Sequence, residues 1–433
     1  MLFTVSKCME HFKSAEKSNL PAELMNRLHN LASEHPDPEK DKIAKKLLEQ
    51  WEKAQEEGNS DEVIRLIGEI EKLYDGTPEK EGEKEKTPDE HIEISGASLE
   101  EKLHLKEQYE KQKEILEKTG ILQTLKSGEK GIVGIDGEEY PLPTYEEIQE
   151  RVEKNKEMLA LKTEQGFTEL LITPFGMSFD SLREKAIDVV WEHHKSGKFF
   201  SAVKSPDGSF KRGFDSKKSP NDPDVPLDVK DKRSDLDLWK WDNYRGTDKN
   251  GMLVYEPKRF DKINHGGKTK QEILERDNSG WQVAFIEDLP LLPAKGEAKS
   301  IGPKGKERRQ LAVGNSPEQY LKLLDPKTRY RGESGMTHED WLAYVVSHLE
   351  KTNQMIDTDP SRVRWGEDGE IDGTIYSWNL GSYLPEGQED LGDFSLVPYG
   401  YWGWGCRSRQ LRSHWSESDS RFRDGGTRTK VKI

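Results

Sequence analysis

Val397 to Ile433 reads VPYGYWGWGCRSRQLRSHWSESDSRFRDGGTRTKVKI, and it is unlike the rest of the chain. Tyr399, Tyr401, Trp402, Trp404, Trp415 and Phe422 are interleaved with Arg407, Arg409, Arg412, Arg421 and Arg423, and serines fill many of the gaps. Large aliphatics are nearly absent until Val431 and Ile433. A core strand is expected to place apolar residues at alternate positions. This mixture instead has the composition of a binding surface, in which Tyr and Trp give rigid contact area and Ser and Gly give adaptable hydrogen bonding. The segment therefore reads as an irregular displayed run that ends in a closing strand, TRTKVKI.

Composition bounds the remainder. A chain of 433 residues allows about two to four domains. With 32% hydrophobic and 34% charged residues, one large globule is not expected. The net charge of −15 argues against general nucleic-acid binding. Two cysteines, Cys8 and Cys406, imply no disulfide framework. No apolar run approaches the roughly 18 residues of a membrane span. The opening MLFTVSKCMEHFK is too short and polar for a secretory signal, so a cytoplasmic location is the expectation.

In order, residues 1–75 read as a helical hairpin, with Leu47, Leu48 and Trp51 on one stripe and Ile64, Ile67 and Ile70 on another. Those helices are a candidate surface for self-association. Residues 76–97 form a charged linker whose core, GTPEKEGEKEKTPDEHI, cannot bury enough apolar surface to order itself. Residues 98–165 read as a helix–hairpin–helix connector. Ser98 with Glu101 and Thr144 with Glu147 are capping boxes, and Asp136-Gly137 is the turn between two short strands. Residues 166–433 read as the compact body, irregular α+β, with strands in GFTELLITPFG, LDLWKWDNY, GMLVYEP and GWQVAFIEDL. Its helices are FDSLREKAIDVVWEHHKSG, KTKQEILERD, SPEQYLKLL capped by Ser316, and MTHEDWLAYVVSHLEKTNQMID capped by Thr337. A long polar loop follows Ser205, and an acidic loop covers Glu386 to Asp393.

Little in this body points to catalysis. HGGKTK at His265–Lys270 ends like a phosphate loop, but the pattern's first glycine falls on Lys262 and no apolar strand leads in. His193 and His194 are adjacent, and adjacent helical residues point about 100° apart, so they cannot chelate one ion together. His338 beside Glu339 and Asp340, in a helix's first turn, reads as solvated. The acid pairs Glu287-Asp288 and Glu389-Asp390 are what chance supplies in so acidic a chain. Cys406, flanked by Arg407 and Arg409, could carry a lowered thiol pKa, yet it reads better as one surface residue among many.

The C-terminal segment resembles the variable region of target proteins of diversity-generating retroelements, through VPYGYW, RSRQL, the Ser-rich run and GGTRTKVKI. The body with HGGKTKQE, SPEQYLKLL and GMTHEDWLAYVVSHLE is similar to uncharacterised bacterial proteins with such tails. The resemblance implies a C-type-lectin-like fold of the formylglycine-generating-enzyme branch, preceded by a helical N-terminal region. It implies a non-catalytic ligand-binding protein with no cofactor or metal and a protein or cell-surface partner. Trp402, Leu411, Arg428 and Val431 would be framework. Tyr399, Tyr401, Trp404, Cys406, Ser408, Arg412, His414, Trp415, Ser418 and Ser420 would be the ligand-binding display positions. One alternative is a scaffold acting through its helical N-terminal half. A formylglycine-generating oxidase is a further one, but that chemistry uses a pair of cysteines and only Cys406 lies in this tail.

Overall fold

A computed structural model describes residues 98–196, 200–204, 210–212, 237–239, 245–357, 364–365, 371–372, 375–385, 396–405, 408–420 and 424–433. The expected helical hairpin and linker, most of the polar loop after Ser205, the acidic loop, Cys8 and Cys406 lie outside these residues. Contacts divide the chain between Ile92 and Glu93, and the second unit, Glu93–Ile433, is the one described. Among the described residues no helix is long and apolar enough to cross a membrane.

The unit is α+β. It opens with helices α1 (Leu99–Leu103) and α2 (Leu105–Lys118), which share a left-handed hinge at His104. Ser98 and Glu101 form the expected capping box. Strands Lys130–Val133 and Glu139–Pro141 pair about the Asp136-Gly137 turn, where Gly137 has a φ of +82° that a side chain would strain. Helices α3 (Tyr145–Lys154), capped by Thr144 and Glu147, and α4 (Lys156–Glu164) follow.

Two sheets carry the body. The first has the order β4–β9–β3–β1, all antiparallel, from β1 (Phe167–Thr173), β3 (Gln282–Glu287), β4 (Ser334–Gly335) and β9 (Thr429–Lys432). The closing strand β9 thus lies inside its sheet rather than at the edge. The second has the order β8–β5–β6–β7–β2, from β2 (Asp237–Trp239), β5 (Tyr376–Trp378), β6 (Leu396–Gly405), β7 (Ser408–Glu417) and β8 (Gly425–Thr427). Helix α5 (Phe179–Lys195) turns Leu182, Ala186, Val189 and Val190 inward as its spacing requires. Helix α8 (His338–Thr352) is buried on every side from His338 to Leu349. It shares one core with α5, β1, β3, Trp402, Leu411 and Trp415.

Two sequence expectations need correction. Residues 98–165 are not a separate connector. Leu103, Ile115, Ile148 and Leu159 belong to the same core as Phe167 and Leu170. A buried ion cluster adds to the join: Lys162 of α4 meets Glu333 at 2.6 Å, and Arg308 meets Glu333 and Glu287 at 2.8 Å each. The run before the closing strand is also not irregular. It is a hairpin of two ten-residue strands, paired from Leu396↔Glu417 to Gly405↔Ser408. Tyr, Trp and Thr suit a pleated surface as well as aliphatics do, and both faces of this hairpin carry packing.

Candidate functional site

Successive side chains of a strand point to opposite faces, so the register sorts the hairpin. Trp402 lies opposite Leu411, Gly400 opposite Ser413 and Pro398 opposite Trp415. This is the inner face. A Cβ at Gly400 would come within 2.5 Å of the Trp341 ring of α8, so only glycine permits that approach. Tyr399 opposite His414 and Tyr401 opposite Arg412 make the outer face. There the Tyr399 and His414 rings stack with centroids 4.9 Å apart. Tyr376 of β5 meets Tyr401 edge-on at 4.9 Å, and Trp378 meets Tyr399 at 4.9 Å.

The expected display positions divide. Tyr399 is 5% exposed, Tyr401 7% and Trp415 4%, so these three are packing residues in this conformation. Trp415 lies on the inner face. Tyr399 and Tyr401 are covered because a second cluster, with Tyr320, Tyr330 and Tyr383, closes over the outer face. His414, Ser418 and Ser420 are half-buried. Trp404, Ser408 and Arg412 stand on the two strands, but their side chains lie outside the described set, as does all of Cys406. The expected framework residues Trp402, Leu411, Arg428 and Val431 are all buried. Arg428 pairs with Asp357 at 2.5 Å and lies over the Tyr344 ring.

The inner face is also held by polar groups that sequence reading missed. The Ser413 hydroxyl accepts from Arg183 Nη1 and lies 2.9 Å from His338 Nε2, while His338 Nδ1 is 3.0 Å from Asn379 Nδ2. Arg183 also donates to the Leu411 carbonyl at 3.0 Å. The reading of His338, Glu339 and Asp340 as solvated is wrong, since all three are buried. Each is matched by a different element. Glu339 accepts from Tyr255 at 2.7 Å and pairs with Lys270 at 2.8 Å. Asp340 accepts from the Thr337 N–H at 2.7 Å and Thr173 Oγ1 at 2.8 Å, and pairs with Lys430. Burial, reinforced by the Arg183 charge, holds the His338 pKa well below its ordinary value, so the ring is neutral. Burial opposes the charge on Lys270, but Glu339 and Asp248 outweigh it and raise its pKa.

Ser413, His338 and Asn379 have the residue types of a nucleophile, a base and an orienting group. Their burial and the Arg183 donor on the serine oxygen make them an anchor instead. As oriented, Asn379 donates to Nδ1, which leaves the ring proton on Nε2 facing Ser413, the wrong tautomer for accepting the serine's proton. The Thr269 side chain and Glu272 cap α6 (Lys270–Asp277), so a carboxylate already occupies the helix start that HGGKTK would offer a phosphate. That capping box is visible in the sequence as T-K-Q-E, Thr269 to Glu272. Among the described residues no group of three or more His, Cys, Asp or Glu is arranged to hold a metal ion.

The chain was compared with protein families, curated proteins and solved structures, and no family model, curated protein or solved structure matches it.

Proposed function

We propose that this protein binds a ligand without catalysis, through the β6–β7 hairpin, and that the hairpin is a diversified segment on a C-type-lectin-like body. The supporting observation is the division of labour across the hairpin. Gly400, Trp402, Leu411, Ser413 and Trp415 are fixed against α5 and α8 and the core. Substitution at the half-buried His414, Ser418 and Ser420, and along the strands beyond Trp402 and Leu411, would leave that anchoring in place. Contact would come from a few aromatic and Arg side chains, with the surrounding pattern setting specificity. The partner is a protein or cell-surface component. With Tyr399 and Tyr401 buried, His414, Ser418 and Ser420 are the half-buried display positions among the described side chains.

The test is genetic. Sibling copies of the gene should differ within residues 399–423, at the codons for His414, Ser418 and Ser420 and at those beyond Trp402 and before Leu411. The inner-face codons for Gly400, Leu411 and Ser413 should be constant. A near-repeat of the codons for residues 397–433, mismatched only at adenines and near a reverse-transcriptase gene, is the expected neighbour. Siblings that diverge evenly along the chain, inner face included, would sink the proposal.

A further inference from the structure

A turn at residues 245–251 ends in Asn250-Gly251. Asparagine is followed by glycine nowhere else in the chain. The order matters because the backbone nitrogen after an asparagine can attack that residue's side-chain amide carbon, and glycine, having no Cβ, puts the least bulk in the way. Three backbone bonds build the turn. The Lys249 and Asn250 amides both donate to the Gly246 carbonyl at 3.0 Å, and the Leu253 amide donates to that of Thr247 at 3.0 Å. Its inner side is Asp248, a buried carboxylate that accepts the Phe179 amide at 2.7 Å and pairs with Lys270 at 2.8 Å. Its outer side is Asn250, which is exposed to water.

The turn leaves Asn250 open to that attack. The Met252 amide donates to Asn250 Oδ1 at 3.1 Å. This folds the side chain back over the Gly251 peptide, and it sets a donor on the oxygen where negative charge would build. The side-chain nitrogen, which has to leave, donates only to the Met252 sulfur among the described residues, at 3.3 Å. A thioether is a weak acceptor, so that nitrogen is held loosely. The attacking group is loose as well. Among the described residues the Gly251 N–H has no acceptor, and Gly251 sits at a φ of +77°. The other described asparagines are all followed by residues with a side chain. Asn155 precedes Lys, Asn264 His, Asn353 Gln and Asn379 Leu, while Asn278 and Asn315, the latter just ahead of α7 (Pro317–Leu323), precede Ser.

We infer that Asn250 is a site of spontaneous deamidation, through a succinimide formed with Gly251. The Gly251 nitrogen gives its proton to solvent base and bonds to Asn250 Cγ. The Cγ–Nδ2 bond breaks, and Nδ2 leaves as ammonia with a proton returned from water. Water then adds at either carbonyl of the succinimide ring and opens it, giving aspartate or isoaspartate. The balance is water consumed and ammonia released, with no oxidant or reductant. The product adds a carboxylate to the turn and, in the iso form, an extra backbone carbon close to the Asp248 that holds Lys270. This chemistry is independent of what the β6–β7 hairpin binds.

The experiment incubates the folded full chain in mildly alkaline buffer at physiological temperature and maps its peptides by mass spectrometry at intervals. The amide-to-acid mass gain should accumulate at Asn250 tenfold or more faster than at any of the other described asparagines, and faster still as pH rises. Isoaspartate should form there together with aspartate, read by enzymatic methyl labelling of isoaspartyl carboxylates. Asn250→Gln should remove the label from this peptide, since the longer side chain closes the small ring poorly. Gly251→Ala should slow the gain at Asn250 tenfold or more. Both variants are checked for native circular dichroism before incubation. An Asn250 no faster than the other asparagines, aspartate formed without isoaspartate, or an undiminished rate in folded Gly251→Ala overturns the proposal.

Discussion

Among the many serines of the C-terminal segment, Ser413 is set apart only by its position. It lies opposite Gly400 on the face turned toward α8, and its oxygen serves two buried donors. Removing the acceptor strands groups that water cannot reach, which costs about 1–3 kcal/mol. Ser413→Ala should therefore lower stability by that amount in urea denaturation, and a loss under about 0.5 kcal/mol would contradict the anchor. Gly400→Ala should cost about 1–3 kcal/mol as well, because the new methyl overlaps the Trp341 ring. His414→Ala, one residue from Ser413 but on the other face, should cost less, about 0.5–1.5 kcal/mol, from loss of the stack on Tyr399. Sequence alone could not draw these distinctions. The serines look alike until the register is known, and only the register turns Trp402 and Trp415 inward and Tyr399 and Tyr401 outward.

Among the elements, α8 shows what was legible and what was not. Its start was legible, because Thr337 with Asp340 is a local pattern and the box forms as written. Its environment was not. His-Glu-Asp in a first turn usually faces water, where carboxylates favour the helix dipole. Here β1, β9, α6 and the Tyr255 strand supply Thr173, Lys430, Lys270 and Tyr255 from far along the chain. Nothing local encodes those partners. Glu339→Leu should consequently cost about 3–5 kcal/mol, since it leaves the buried Lys270 ammonium with Asp248 alone among its two carboxylates. Equilibrium denaturation with intact secondary structure as the control would read this. A near-neutral Glu339→Leu would mean that the site relaxes around the loss.

For the molecule as a whole, protonation couples these buried groups to stability. His338 is held well below its ordinary pKa by burial and Arg183, and His348 is lowered to about 4 by burial, Arg428 and Lys351. A histidine with a depressed folded pKa contributes stability that is complete above its unfolded value, near 6.5, and is lost as pH falls toward the folded value. Each should add a slope of about 1.4 kcal/mol per pH unit between pH 6 and 5. Denaturation at several pH values should show that fall, and His348→Gln should remove close to half of it. A flat profile above pH 5 would contradict the neutral buried rings. The unit boundary makes a second prediction at this scale. Deleting residues 1–92 should leave the melting transition of Glu93–Ile433 in place, whereas a start at Gly166 strips Leu103, Ile115 and Leu159 from the core and should not give a cooperative unfolding transition. That shared core was hidden from sequence reading because the capping boxes mark helices without saying what they pack on.

The interior position of β9 has a consequence for biosynthesis. Strand β3 can pair with β1 as soon as both have emerged, but its other edge must wait for Thr429–Lys432. About 140 residues separate Glu287 from Thr429. At about 5–20 residues per second, the ribosome leaves that edge open for roughly 7–30 s. An unpaired strand edge is a template for aggregation during that interval. Production of this protein should therefore depend on a chaperone that covers β3 until the last strand is delivered, and slowing elongation between Glu287 and Thr429 should lower its soluble yield.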